Sequence, residues 1–113
     1  MSDSSLLAQK RVLVVDDNAI NRKLAVAFVT RLGMISEEAD CGPAALVMLE
    51  STHFDIVLLD ISMPVMSGEE VLARLRADVK YKGLRVIAYT AHALPEEKQG
   101  LVDAGFDDLL IKP

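Results

Sequence analysis

Five polar side chains close the apolar runs of this sequence: Asp16 and Asp17 follow RVLVV, Asp60 ends DIVLLD, Thr90 follows LRVIAY, and Lys112 follows DLLI. If those runs lie side by side and parallel, three carboxylates, a hydroxyl and an ammonium meet on one edge. Carboxylates that close repel, each pair by about 4 kcal/mol at 4 Å and an effective dielectric near 20. A divalent cation removes the conflict. An all-oxygen site with few protein ligands suits Mg²⁺ (or Mn²⁺), which keeps several waters and often bridges to a phosphoryl oxygen. Lys112 supplies a fixed positive charge opposite such an ion, and Thr90 can donate a hydrogen bond to a tetrahedral anion. A carboxylate set between a divalent cation and a lysine can attack phosphorus, because both cations neutralise charge on the transferred group. The product is an acyl phosphate on Asp60, with between about one and two added negative charges.

The elements that must position these groups alternate strictly. Arg11 to Asp16 is a short β-branched run, too short for a helix. Asn18 to Leu32 follows at helical spacing, with Ile20, Leu24, Ala27, Phe28 and Leu32 on one face, and Gly33 stops it where a left-handed residue is wanted. Met34 to Asp40 is a partly polar strand that suits a sheet edge. Gly42 and Pro43 open a second helix, with Pro at its first position and Leu46 and Leu49 inward. Asp55 to Asp60 is the strongest buried-strand signal. Ser67 and Glu70 form a capping box that starts a third helix. Leu84 to Tyr89 is the fourth strand, Leu94 to Ala104 a fourth helix stopped by Gly105, and Asp108 to Ile111 the fifth strand. Five strands alternating with four helices call for an α/β fold, a doubly wound parallel sheet with helices on both faces. Ligands of such sheets bind beyond the carboxyl ends of the strands, where the five polar groups stand.

The whole sequence has 113 residues, enough for one domain, and its formal net charge of −5 with no basic run argues against a nucleic-acid binder. The single cysteine, Cys41, can form no internal disulfide, and a reducing cytoplasm is the compartment expected. No apolar stretch approaches the ~20 residues of a membrane span. Met1 to Lys10 has no signal-peptide pattern and reads as a flexible lead-in, with the domain running over 11–113.

Asp16-Asp17, the segment Asp60-Ile-Ser-Met-Pro-Val-Met-Ser-Gly68, Thr90-Ala91 and Lys112-Pro113 together resemble the signature of two-component response regulator receiver domains. The stretches VVDDNAINRKLA and AYTAHALPEE are similar to receivers of hybrid histidine kinases. The resemblance implies a flavodoxin-like sheet in the order 2-1-3-4-5. It implies a signalling switch in a two-component or phosphorelay system, which catalyses only its own phosphorylation and slow dephosphorylation and is not an enzyme in the usual sense. The partner implied is a histidine kinase or histidine phosphotransfer protein. Asp60 is then the phosphoacceptor. Asp17, Asp60 and the backbone carbonyl of Ser62 ligate Mg²⁺, and Asp16 acts mainly through metal-bound water. Lys112 pairs with Asp60, Thr90 moves to the phosphoryl group as the signal spreads, and the Lys112–Pro113 bond is cis. Side chains two after the acceptor and two after the threonine, Ser62 and His92, tune dephosphorylation.

Two features depart from the family pattern. Leu109 occupies a position that commonly carries Tyr or Phe, which puts the usual aromatic readout in doubt. The sequence also stops at Lys112-Pro113, before the usual fifth helix, so the strand-five side is expected to be bare. Either the sequence is a piece of a longer chain, or another chain covers the gap, a possible homodimer among the options.

Blander assignments compete at each position. Asp16 and Asp17 alone could cap a helix, and Thr90 alone could be an ordinary strand residue; the company of Asp60 and Lys112 tips both toward chemistry. Met63, Pro64, Met66 and Gly68 read as loop geometry. His53 and Cys41 stand apart from any constellation, and Asp107-Asp108 reads as a solvated pair. An aspartyl-phosphate phosphatase would want a second acid where Ser62 stands. A flavodoxin-type cofactor binder would want glycine in DDNAIN. The remaining alternative is a degenerate receiver acting as a docking or dimerisation module independent of phosphorylation.

Overall fold

A computed structural model describes residues 9–91 and 94–112. Five strands, β1 (Arg11–Val15), β2 (Ile35–Ala39), β3 (Ile56–Asp60), β4 (Arg85–Thr90) and β5 (Asp108–Ile111), form one parallel sheet in the order β2-β1-β3-β4-β5. Between them run α1 (Ala19–Arg31), α2 (Gly42–Ser51), α3 (Gly68–Arg76) and α4 (Pro95–Ala104). The expected α/β architecture and strand order are borne out. A short 3-10 turn at Val79–Tyr81, not anticipated from the sequence, leads from α3 into β4.

Side chains alternate across a strand, and the sheet sorts its apolar residues accordingly. Leu13, Val15, Val57, Leu59, Val86 and Ala88 face one way, into a core closed by Ala45, Leu49, Val71, Leu72, Leu75 and Leu101 of α2, α3 and α4. Val12, Val14, Leu58 and Tyr89 face the other way, and among the described residues only Ala25 and Val29 of α1 are buried with them. One helix therefore covers what three cover on the opposite face.

That asymmetry leaves the larger side chains of α1 open. Ile20, Leu24 and Phe28 do share a face, but they are 72%, 46% and 49% exposed. Small Ala25 and Val29 pack against the sheet instead, and Leu24 and Phe28 flank an apolar groove completed by Tyr89, Leu110 and Ile111. Pro43 is also one position later than expected, since Cys41 caps α2 and Gly42 is its first residue.

Local signals behaved as chemistry dictates elsewhere. Gly33 and Gly105 adopt φ of +87° and +110° at the ends of α1 and α4. Ser67 and Glu70 close a reciprocal capping box at α3. At the amino end, Gln9 N–H donates to Gly33 O at 3.1 Å and Ile35 N–H to Lys10 O at 2.8 Å. The last two residues of the expected lead-in are thus tied to the sheet edge; residues 1–8 lie outside the described residues.

Candidate functional site

The carboxyl ends of β1, β3, β4 and β5 open into one cleft, lined by Asp16, Asp17, Asp60, Ser62, Thr90 and Lys112 together with Asn18, Asn21, Ile61, Ala91 and Glu97. Asp16, Asp17 and Asp60 each bring a carboxylate oxygen within 4.8 Å of the others. Asp16 and Asp60 are buried while Asp17 reaches solvent. Lys112 Nζ lies 2.9 Å from Asp16 Oδ2 and 3.2 Å from Asp60 Oδ1. The resemblance paired Lys112 with Asp60 alone; the ammonium is shared, with Asp16 the nearer partner. Beneath it lies the ring of Tyr89, 5.3 Å from Nζ to the ring centre, a cation–π contact.

Each group is held by its own local structure. Lys112 N–H donates to Thr90 O at 2.7 Å, locking the end of β5 beside β4. Asp60 Oδ1 accepts the Ser62 N–H at 3.1 Å, so the loop after β3 folds back on its own acid. Gly68 closes that loop, and a Cβ there would come within 2.4 Å of Asp60 O. Between them Val65 takes φ +71°, and Met66 N–H donates to Pro64 O at 2.7 Å in a tight turn. Asn18, not the acid pair, caps α1: its Oδ1 accepts Asn21 N–H at 3.0 Å. Asp16 Oδ1 accepts Asn18 N–H at 2.8 Å. The helix-cap assignment of Asp16 and Asp17 therefore falls away.

Electrostatics set the three acids under tension. Burial raises the Asp60 pKa to about 6; the Ser62 hydrogen bond lowers it, Asp16 raises it, and Lys112 lowers it again. Burial works against the Lys112 charge, but its bond to Asp16 and the field of both acids outweigh that and raise its pKa. Asp16 Oδ2 is buried and faces the Lys112 ammonium at 2.9 Å. Three carboxylates clustered within 4.8 Å, a donor set made only of oxygen, fit a hard divalent cation.

Leu109 is half-buried and packs against the larger core cluster. Asp107 and Asp108 are exposed as expected, and Asp107 also binds Val86 N–H and Arg76 Nη2 through Oδ2, each at 2.8 Å. His53 is exposed, meets Asp55 at 3.2 Å and does not line the cleft. The expectations for His92 and for a cis Lys112–Pro113 bond lie outside the described residues. Asn18 and Asn21 were missed as cleft residues, although Asn directly after the acid pair is a helix-start signal.

A sequence profile described as the response regulator receiver domain matches residues 12–113. The sensor histidine kinase RcsC of Escherichia coli strain K12 is 43% identical over 102 residues, which are 90% of this chain and 10% of that protein. The chain thus spans about a tenth of that relative's length. Among solved structures, the chemotaxis protein CheY4 of Vibrio cholerae superposes with a TM-score of 0.85 at 32% identity, covering 94% of this chain and 88% of the other. The receiver domain of sensor histidine kinase PA1611 from Pseudomonas aeruginosa PAO1, which has a magnesium ion coordinated in its active-site cleft, gives 0.82 at 30% identity, covering 94% and 87%.

Proposed function

The chain belongs to the response regulator receiver domain family, and from that premise we propose that it is a Mg²⁺-dependent switch phosphorylated on Asp60 by a phosphohistidine donor. The observation that carries this reading is the meeting of the Asp16, Asp17 and Asp60 carboxylates, the first and last of them held by the ammonium of Lys112. Asp17, Asp60 and the Ser62 carbonyl would hold the ion, with Asp16 behind them. When bound, the ion supplies charge neutralisation for a phosphoryl group arriving at Asp60.

The protein's own groups do the rest. Ser62 N–H and Lys112 both hold Asp60 Oδ1, which fixes the rotation of the carboxylate. An Asp60 oxygen attacks phosphorus; the O–P bond forms as the donor's N–P bond breaks, and the imidazole nitrogen keeps the electron pair. Lys112 stays beside the transferred group as counter-charge, and Thr90 donates to one of its oxygens. Leu109, packed in the core, replaces the usual aromatic readout, so the response travels through Thr90 and Lys112. Ser62 and His92 tune the loss of the phosphoryl group. Partners of this kind are histidine kinases or histidine phosphotransfer proteins in the cytoplasm.

The test is to incubate the protein with Mg²⁺ and a small phosphodonor and measure its intact mass. One added phosphoryl group, absent in Asp60→Ala and with EDTA, supports the reading; addition at another residue, or without metal, overturns it.

The groove between Leu24, Phe28, Leu110 and Ile111 favours a second reading, docking or dimerisation through the strand-five side independent of phosphorylation. Sedimentation of the unphosphorylated protein as a dimer, with Phe28→Glu reverting it to monomer, supports that reading. A monomer at all concentrations removes it.

A further inference from the structure

We propose that Arg22 is a positioning residue for the metal site, fixing the peptide plane between Asp16 and Asp17 so that the acid pair is preset for a divalent cation. This role rests on the Mg²⁺-dependent reading of the cleft and adds a residue that lines no part of it.

Asp16 ends the buried run of β1. Its N–H donates to Ala39 O at 3.2 Å and its Oδ1 accepts Asn18 N–H at 2.8 Å. Neither contact sets its carbonyl. Arg22 Nη1 does, donating to Asp16 O at 2.8 Å. The peptide group is planar, so holding that oxygen also fixes the nitrogen of Asp17. The place from which the exposed Asp17 branches off the backbone, its Cα, is thereby set before any ion arrives.

Arg22 is itself braced. Its Nε donates to Glu38 Oε1 on β2 at 3.1 Å, and its side chain is only 17% exposed. A guanidinium can serve two acceptors from one rigid plane, which a lysine ammonium cannot reproduce. Lys23 offers an internal control. It meets the other oxygen of Glu38 at 3.1 Å but is 71% exposed, and its charge serves Glu38 from the solvent side.

Charge and positioning predict opposite signs. Arg22 is a cation near a cation site, so by charge alone its removal tightens Mg²⁺ binding. If it holds the acid pair in place, its removal weakens binding. Residues that orient metal ligands typically contribute 10- to 100-fold in affinity.

The experiment is calorimetric titration of Mg²⁺ into wild type, Arg22→Ala, Arg22→Lys and Lys23→Ala at neutral pH, well below each melting temperature. Phosphorylation by a small donor is followed in parallel over a range of Mg²⁺ concentrations. Both Arg22 variants are expected to bind about 10-fold more weakly, while Lys23→Ala stays within about 2-fold. At saturating Mg²⁺ the Arg22 variants are expected to regain most of the wild-type rate. Binding by Arg22→Ala as tight as wild type, or tighter, overturns the proposal while leaving the functional reading intact. A lowered maximal rate with unchanged affinity overturns it likewise, as a general structural defect. Wild type that binds no Mg²⁺ sinks both.

Discussion

Lys112 Nζ stands 2.9 Å from Asp16 and 3.2 Å from Asp60, so one ammonium answers two buried acids. Removing one partner of a buried charge group leaves the rest uncompensated, at about 3–5 kcal/mol for a fully buried pair. Lys112→Ala is therefore expected to destabilise the metal-free protein by about 3 kcal/mol at neutral pH. Urea denaturation reads this directly. The loss should shrink as pH falls through about 6, where Asp60 takes up its proton; a loss that is the same at all pH values would contradict it.

Asp60 gives a pH dependence with a definite sign. Its pKa is raised to about 6 in the folded protein, chiefly by burial, from an ordinary value of 3.8. Between those values the folded state binds more protons than the unfolded one, so this group removes stability as pH rises. Asp60→Asn is expected to stabilise the metal-free protein by about 2 kcal/mol at pH ~7 and by almost nothing at pH ~4. Stability curves across that range, with EDTA present, would show the two proteins converging in acid.

Val65 is β-branched, 93% exposed, and sits at φ +71°. Left-handed backbone costs such a residue roughly 1–2 kcal/mol, and Asn tolerates it better. Val65→Asn is expected to add about 1 kcal/mol to stability. Thermal melts that show no gain, or a loss, would rule out strain at this turn.

Asp107 joins the start of β4 to α3 through Val86 N–H and Arg76. Its loss strands the Val86 N–H, while Arg76 keeps the carbonyls of Leu84 and Gly105, a cost of about 2 kcal/mol. Asp107→Ala is expected to lower the unfolding midpoint accordingly. Its capacity for phosphorylation below that midpoint should match wild type.

Much of this was legible in the residues. Asp60, Thr90 and Lys112 could be placed because each closes a short apolar run, and a parallel sheet brings such ends together. The order of the strands was not, since strict alternation of strands and helices fits several orders and only the resemblance chose one. The face of α1 that meets the sheet was not legible, because Leu24 and Phe28 outweigh Ala25 and Val29 in any apolar pattern, whereas close approach to a sheet favours the smaller pair. Arg22 and Asp107 were invisible for another reason. Their partners are fixed only after folding: Glu38 lies 16 residues from Arg22, and Arg76 lies 31 from Asp107.

Gly68 is packed so that a methyl group in place of its hydrogen would meet the Asp60 carbonyl oxygen at 2.4 Å and Ile61 Cα at 2.7 Å, while at Gly83 it would meet nothing within 4 Å. Backbone cannot step aside as a flexible side chain can. A library randomised at both positions and sorted for phosphate uptake should return a single letter at 68 and nearly the whole alphabet at 83.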